Sequence, residues 1–201
     1  MIAVLDYGMG NLRSVQKALE HVGAEPEITH DHNRIRAAAA LVLPGVGAFP
    51  KAMEAVHGRG LDELIRERRD AGVPVLGICL GMQLLFERST ELGGADGLAL
   101  LPGEVRELDA PGLKIPQIGW NAVSWSRESP LVAGLPNPAA FYHVHSFAPV
   151  AHNGVVLGTA DYGSEFVSAV AGDGVFGVQF HPEKSGPDGL ALLRNFIALA
   201  E

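Results

Sequence analysis

Cysteine is almost absent from this chain: its 201 residues include one, Cys79. A single cysteine cannot form a disulfide within the chain, so we expect a free thiol in a reducing compartment. Basic residues are also scarce, since 15 Lys and Arg against 23 Asp and Glu give a formal net charge of −8 at pH 7. That balance argues against a protein that binds the phosphate backbone of a nucleic acid, because such proteins carry basic surfaces that neutralise phosphates.

The sequence also lacks a long apolar run. The longest, AAAALVLPGVGAF at 37–49, is interrupted by Pro44 and two glycines and is too short to cross a bilayer. The opening MIAVLDYGMG has no basic leader, and its short apolar run before Asp6 predicts a buried strand rather than a signal peptide. We therefore expect a cytoplasmic protein that does not associate with a membrane.

Strand and helix patterns alternate in the first half of the chain. The short apolar runs at 2–6, 40–44 and 73–79 are typical of parallel strands covered on both faces. The segments 11–23 and 61–72 have amphipathic helical spacing and end in glycine. This β-α-β order predicts an open, mostly parallel sheet with helices on both faces.

The second half is composed of shorter strand patterns joined by turns. An Asp-Gly pair at 173–174 predicts a hairpin, and a helix is predicted at about 188–200. No Ser/Gly/Pro-rich linker, repeat or low-complexity tract separates the two halves. We therefore predict a single α/β domain over 1–201, with a mixed sheet.

Cys79 lies where an apolar strand pattern turns into a helical one, in GICLGMQLLFE at 77–87, with glycine two residues before and two after it. So sharp a turn strains its central residue and projects the side chain from the carboxyl edge of the sheet, where open α/β sheets bind ligands. A helix N-terminus there favours thiolate, and the N–H of Leu80 is placed to donate to an oxyanion. A lone free cysteine is more often a buried structural thiol, but the glycine frame favours a nucleophile.

A nucleophilic thiol needs a base, and the base needs an orienting partner. The segment FGVQFHPEKS at 176–185 offers both, because His181 and Glu183 are two residues apart and face the same side of an extended segment. Pro182 fixes the bend between them. Alone, His-Pro-Glu is typical of a surface turn. At the end of an apolar strand, on the edge where Cys79 emerges, it predicts a base and its orienting carboxylate.

Together these two segments resemble the class I glutamine amidotransferases, whose triad follows the order Cys…His-x-Glu, and the resemblance spans nearly the whole chain. It implies a flavodoxin-like fold and hydrolysis of glutamine to glutamate and ammonia through a glutamyl thioester, with no cofactor. Carried over by position, Cys79 is the nucleophile, His181 the general base and acid, and Glu183 the residue that orients His181.

The resemblance also implies a substrate site around Cys79. The glycine-rich LPGVGAF at 43–49 lets the backbone approach a ligand, although an ordinary β-to-α loop is the alternative. The family takes an oxyanion-hole N–H from this loop and further contacts from the helix after the cysteine and from YHVHSF at 142–147. The pair His143 and His145 faces one side of a strand, but with no third ligand nearby we expect no metal. The residues assigned to substrate binding and the oxyanion hole are Gly45, Val46, Gly47, Leu80, Gln83, His145, Ser146 and Phe147.

Further segments resemble the glutaminase subunits of imidazole glycerol phosphate synthase, an enzyme of histidine biosynthesis: LDYGMGNLRSV, LPGVGAF, PQIGWN and HVHSF. Gln117 departs from that family, where His is frequent, and Phe147 replaces a common Tyr. Other class I glutaminase subunits are the alternatives. The anthranilate and aminodeoxychorismate glutaminases usually have Cys-Leu-Gly-His-Gln where this chain has Met82, and the pyridoxal-phosphate glutaminase has a Cys-Ala-Gly elbow.

The chemistry also calls for a partner, because ammonia in neutral water is mostly ammonium and cannot act as a nucleophile. The resemblance implies a heterodimer with a cyclase subunit of (β/α) barrel fold, which uses the ammonia to make imidazole glycerol phosphate and the aminoimidazole carboxamide ribonucleotide. The residues placed at this interface are Asn11, Gln117, Trp120, Asn121 and Lys184. Two other classes stay open: a flavodoxin-like cysteine hydrolase or chaperone, which would lack the His-Pro-Glu strand, and a binding module, which would tolerate loss of Cys79.

Overall fold

The structure is a computed structural model that describes residues 1–151 and 154–200. Within these ranges it contains thirteen β-strands and six α-helices. The strands are β1 (Ile2–Leu5), β2 (Pro26–Thr29), β3 (Ala40–Gly45), β4 (Val75–Cys79), β5 (Arg88–Ser89), β6 (Ala95–Asp96), β7 (Glu104–Glu107), β8 (Gln117–Trp125), β9 (Ala139–His145), β10 (Phe147–Val150), β11 (Val156–Tyr162), β12 (Ser164–Gly172) and β13 (Val175–Val178). The helices are α1 (Leu12–His21), α2 (His32–Arg36), α3 (Phe49–Gly58), α4 (Leu61–Asp70), α5 (Leu80–Leu84) and α6 (Gly186–Ala198).

Nine strands form one mixed sheet in the order β2-β1-β3-β4-β13-β12-β11-β8-β9. The first five are parallel, and the remaining neighbours pair antiparallel. The predicted mixed sheet is confirmed, with the parallel pairing confined to its first five strands. Because β4 and β13 are parallel neighbours, their carboxyl ends meet at one edge, and these ends carry the two segments that the sequence singles out.

Helices cover both faces of this sheet. Along β1, Ile2 and Val4 face a core that α1 and α6 complete, whereas Ala3 and Leu5 face a second core with α2, α3 and α4. Such alternation in a strand apolar at every position shows that both faces are buried. The predicted two-sided covering is confirmed.

A second, four-stranded sheet was not predicted. It has the order β10-β7-β5-β6, and its residue Val105 packs into the core that also contains Val170 and Val175 of the large sheet. The chain passes from β9 of the large sheet to β10 of the small one across the single residue Ser146. The segment 142–147, predicted to bind substrate, therefore lies at the junction of the two sheets.

None of the helices in the described ranges is long and apolar enough to span a lipid bilayer.

Candidate active site

Cys79 ends β4, and α5 begins at the next residue. Its backbone has φ 55° and ψ −112°, a strained conformation for a residue with a side chain. The flanking glycines are required by packing: a Cβ on Gly77 would lie 2.6 Å from the carbonyl oxygen of Gly81, and one on Gly81 would overlap the carbonyl oxygen of Leu43. The predicted elbow is therefore present. Helix α5 has only five residues, so few aligned peptide dipoles lie behind the thiol.

His181 and Glu183 are joined by a hydrogen bond between Nδ1 and Oε1 of 2.8 Å, and their side chains are 5% and 1% exposed. The segment between them is not extended as predicted, because Pro182–Lys184 forms a 3₁₀ turn. The turn nevertheless brings the two side chains together. Burial, the largest influence, lowers the pKa of His181, but the hydrogen bonds and negative charges of Cys79 and Glu183 outweigh it and raise this pKa to about 9. The imidazolium form is thus stabilised beside the thiol.

A cavity of about 280 Å³ opens over Cys79 and His181. Most of the residues predicted to bind substrate line it: Val46, Gly47, Leu80, Gln83, His145, Ser146 and Phe147. Gly45 does not. It pairs with Cys79 between β3 and β4 and packs against the Tyr7 hydroxyl, so it lies beneath the loop that contains Val46 and Gly47. A larger open groove of about 680 Å³, around Trp125 and Arg127, contains none of the triad residues.

Three residues that line the cavity were not predicted from the sequence: Glu91, Pro116 and Val144. Glu91 accepts a hydrogen bond from the N–H of Phe49 at the start of α3, at 2.8 Å. No motif marks it, since it is brought to the site by the small sheet. Tyr7 lies behind the site and donates to the carbonyl of Pro44 at 2.7 Å. Burial, and then the charge of Cys79, raise the pKa of Tyr7, so its hydroxyl remains a donor.

All four ring nitrogens of His143 and His145 have hydrogen-bonding neighbours. His143 contacts the Phe141 carbonyl at 3.1 Å and the Ser168 hydroxyl at 2.9 Å, and His145 contacts the Phe147 carbonyl at 2.9 Å and the Gln117 amide at 3.0 Å. Burial lowers the pKa of His143 to about 3, with the charge of His145 adding to it, and lowers that of His145 to about 4. Both rings are therefore neutral. His145 forms part of the cavity wall, and His143 packs against it with the ring centroids 5.5 Å apart.

A chain of side-chain amides runs beneath the cavity to the sulfur. The Nε2 of Gln83 donates to the Phe147 carbonyl at 3.0 Å and to the Oε1 of Gln179 at 3.1 Å. The Nε2 of Gln179 in turn donates to the Sγ of Cys79 at 3.7 Å. Gln179 was not predicted, because its amide partner Gln83 is 96 residues away in the sequence.

Of the five residues predicted to face a partner, four are at least partly exposed and one is buried. Asn11, Trp120 and Lys184 are exposed, and Lys184 also lines the cavity. Asn121 is partly exposed, and its amide donates to the Asp161 carbonyl at 2.8 Å. The prediction for Gln117 is wrong: this residue is 3% exposed and its amide faces His145, because the register of β8 with β9 pairs the two on the buried face.

Comparison with known proteins identifies the family of this chain. The model of the family "Glutamine amidotransferase class-I" matches residues 3–200. The chain belongs to the class I glutamine amidotransferase family. Among curated relatives of this amidotransferase, the imidazole glycerol phosphate synthase subunit HisH of Bacillus cereus (strain G9842) is 51% identical over 201 residues, which cover 100% of this chain and 96% of the relative. The subunit of the same name from Moorella thermoacetica is 52% identical over 196 residues, covering 97% and 93%.

Solved structures resemble the amidotransferase in fold. PurLQS from Thermotoga maritima has a TM-score of 0.79 at 22% identity and covers 100% of this chain and 98% of its own. A structure described as a glutamine amidotransferase has a TM-score of 0.75 at 25% identity, with coverage of 99% and 98%. The α/β architecture is thus that of the class I amidotransferases.

Proposed function

We propose that this protein hydrolyses glutamine to glutamate and ammonia through a thioester on Cys79. The observation that carries the proposal is the convergence of a strained cysteine and a buried histidine–carboxylate pair on one cavity. A redox or structural thiol needs no such pair, whereas a cysteine that attacks an acyl carbon needs a base held in one orientation.

The residues take the following roles. Sγ of Cys79 attacks the carboxamide carbon of glutamine while His181 holds the thiol proton, and the imidazolium then gives that proton to the departing nitrogen, which leaves as ammonia. Neutral His181 next accepts a proton from a water whose oxygen attacks the thioester carbon. Returning this proton to the sulfur releases glutamate. Glu183, bonded to Nδ1, keeps the other ring nitrogen towards the reaction and stabilises each imidazolium.

The rest of the cavity fits an amino acid. We assign the oxyanion hole to the N–H of Leu80 and to the loop Gly45, Val46 and Gly47, of which Val46 and Gly47 line the cavity. Glu91 offers a carboxylate to the ammonium of glutamine. Gln83, His145, Ser146 and Phe147 complete the substrate wall.

The relatives about half identical over their full length favour one assembly. Each is named a subunit of imidazole glycerol phosphate synthase, and we propose the same role here, in a heterodimer with a cyclase subunit of (β/α) barrel fold that takes the ammonia. The exposed Trp120 and Ile118, 59% and 63% exposed, extend from Pro116 at the cavity rim and provide an apolar surface next to the site. Residues 1–201 would then be a single amidotransferase domain acting in the cytoplasm, where the thiol stays reduced.

The first prediction tests this function directly. Glutamate release from glutamine is measured for the chain alone and with the cyclase subunit and its nucleotide ligand, and we expect low activity alone and strong stimulation in the loaded complex. Cys79→Ala should lose all hydrolysis, because no thioester forms, while circular dichroism and partner binding stay unchanged. Hydrolysis by the alanine variant would refute the thioester on Cys79. Equal activity with and without the cyclase would refute the assignment to a cyclase complex.

A further inference from the structure

Gln179 is fully buried, directly beyond β13 and two residues before His181. Its backbone N–H donates to the Ser168 carbonyl at 2.8 Å, so β12 holds it in place. Its side-chain Nε2 lies 3.7 Å from the Sγ of Cys79. Building on the glutaminase assignment above, we propose that Gln179 is a fourth member of the catalytic group, whose amide N–H donates a hydrogen bond to Sγ and stabilises the thiolate.

The orientation of this amide follows from its neighbours. The Phe147 carbonyl can only accept, so the Gln83 side chain must present its NH₂ group to it, at 3.0 Å. The same NH₂ group lies 3.1 Å from Gln179, which must therefore present its carbonyl oxygen there. The NH₂ of Gln179 then points to the sulfur. Reversing the Gln179 amide would point its NH₂ group at the NH₂ group of Gln83. Reversing the Gln83 amide as well would point its carbonyl oxygen at the Phe147 carbonyl oxygen, and both oxygens can only accept.

The surroundings of the sulfur explain why such a donor matters. The Val144 carbonyl lies 3.8 Å from Sγ and can accept from the thiol, but it repels the thiolate. The helix after Cys79 has only five residues. Among the titratable side chains at 1–151 and 154–200, His181 and Tyr7 interact with Cys79. The sulfur carries negative charge twice, as it attacks glutamine and as it leaves the glutamyl carbon, and Gln179 offers it an N–H donor at both stages.

The test uses the fact that the chain has one cysteine. The rate of alkylation by iodoacetamide is measured against pH for the isolated full-length chain, and it reports the thiolate of Cys79 alone. In Gln179→Met, which keeps the side-chain length without the donor, we expect the half-maximal pH to rise by about one unit, since a hydrogen bond to a charged group has an effect of this size. Gln117→Met is the matched control: it also removes a buried glutamine amide, but one that contacts His145 and not sulfur.

An unchanged half-maximal pH in a folded Gln179→Met would overturn the proposal, as would an equal shift in Gln117→Met. Should Gln179→Met fail to fold, the wild-type chain decides. The side-chain NH₂ resonances of Gln179, followed by NMR, should move with the same midpoint as alkylation and should stay fixed in Cys79→Ala. Resonances that do not move, or that move equally in Cys79→Ala, would also overturn it. Neither readout needs glutamine hydrolysis, so failure here is distinct from failure of the glutaminase assignment.

Discussion

Acid should destabilise this protein through His143. The ring is fully buried and neutral, with a pKa of about 3 in the folded chain against 6.5 for a free side chain. Since the folded pKa is the lower one, the unfolded chain binds a proton that the folded chain does not. Stability is therefore complete above pH 6.5 and is lost progressively as the pH falls towards 3.

The size of the effect follows from the two pKa values. Between pH 6.5 and pH 5 the unfolded ring gains its proton while the folded ring remains neutral, and about 1.5 units at about 1.4 kcal/mol each give about 2 kcal/mol. His145, with a pKa of about 4, should contribute a similar amount over the same range. These losses are large against a typical total stability of about 5–15 kcal/mol.

The assay is urea unfolding at pH 7 and pH 5, for wild type and for His143→Gln. Carboxylates also become protonated in acid and change the stability, but they do so in both proteins. The difference between wild type and His143→Gln therefore reports the His143 ring. We expect the fall in unfolding free energy between the two pH values to be about 2 kcal/mol smaller in His143→Gln. His21→Gln is the control, because an exposed ring is hydrated in both states. An equal fall in wild type and His143→Gln, or a His143 ring found protonated by NMR at pH 5, would refute the reasoning.

Two further predictions concern the site and its rim. His181→Ala should lower the rate of glutamine hydrolysis by roughly 10⁴-fold or more. The rate loss in Glu183→Ala should be roughly ten- to a hundredfold smaller, because orienting His181 is a partial contribution. Steady-state glutamate assays on folded variants measure both rates, and equal complete losses would contradict these roles. Trp120→Ala and Lys184→Ala should reduce the stimulation by the loaded cyclase more than they reduce basal hydrolysis. In Trp120→Ala we also expect a loss of cyclase affinity of roughly tenfold or more. Lys51→Ala, which removes an exposed lysine outside the cavity, is the control, and full stimulation in both rim variants would place the coupling elsewhere.

The parts of the fold that the sequence predicts are those with a local cause. Runs such as Ile2–Leu5 and Val75–Cys79 are apolar at every position because both faces of a parallel strand are buried, and this pattern is visible without partners. The elbow is visible for a similar reason, since Gly77 and Gly81 face backbone that leaves no room for a side chain. The Asp-Gly pair is a turn with positive φ at both residues, 48° and 75°.

The parts that escaped prediction depend on contacts distant in sequence. Strands β5 and β6 have two residues each, too short for any periodicity, and they form a sheet only because β7 and β10 lie beside them. Glu91 reaches the cavity from this region. Gln179 was overlooked because its neighbour Gln83 is 96 residues away, and only the folded chain shows their amides in contact.

Strand β8 shows why the burial of Gln117 could not be predicted from the sequence. Alternation along Gln117, Ile118, Gly119 and Trp120 indicates two faces, but it does not say which face is inside. The register with β9 decides: Gln117 pairs with His145 and is buried, whereas Ile118 and Trp120 pair with Val144 and Tyr142 on the opposite face and are exposed. Val144 also lines the cavity, and the Tyr142 carbonyl accepts from the N–H of His181 at 2.9 Å. A partner that contacts Ile118 or Trp120 would therefore act on two strand residues: Val144, which lines the cavity, and Tyr142, which binds the N–H of His181.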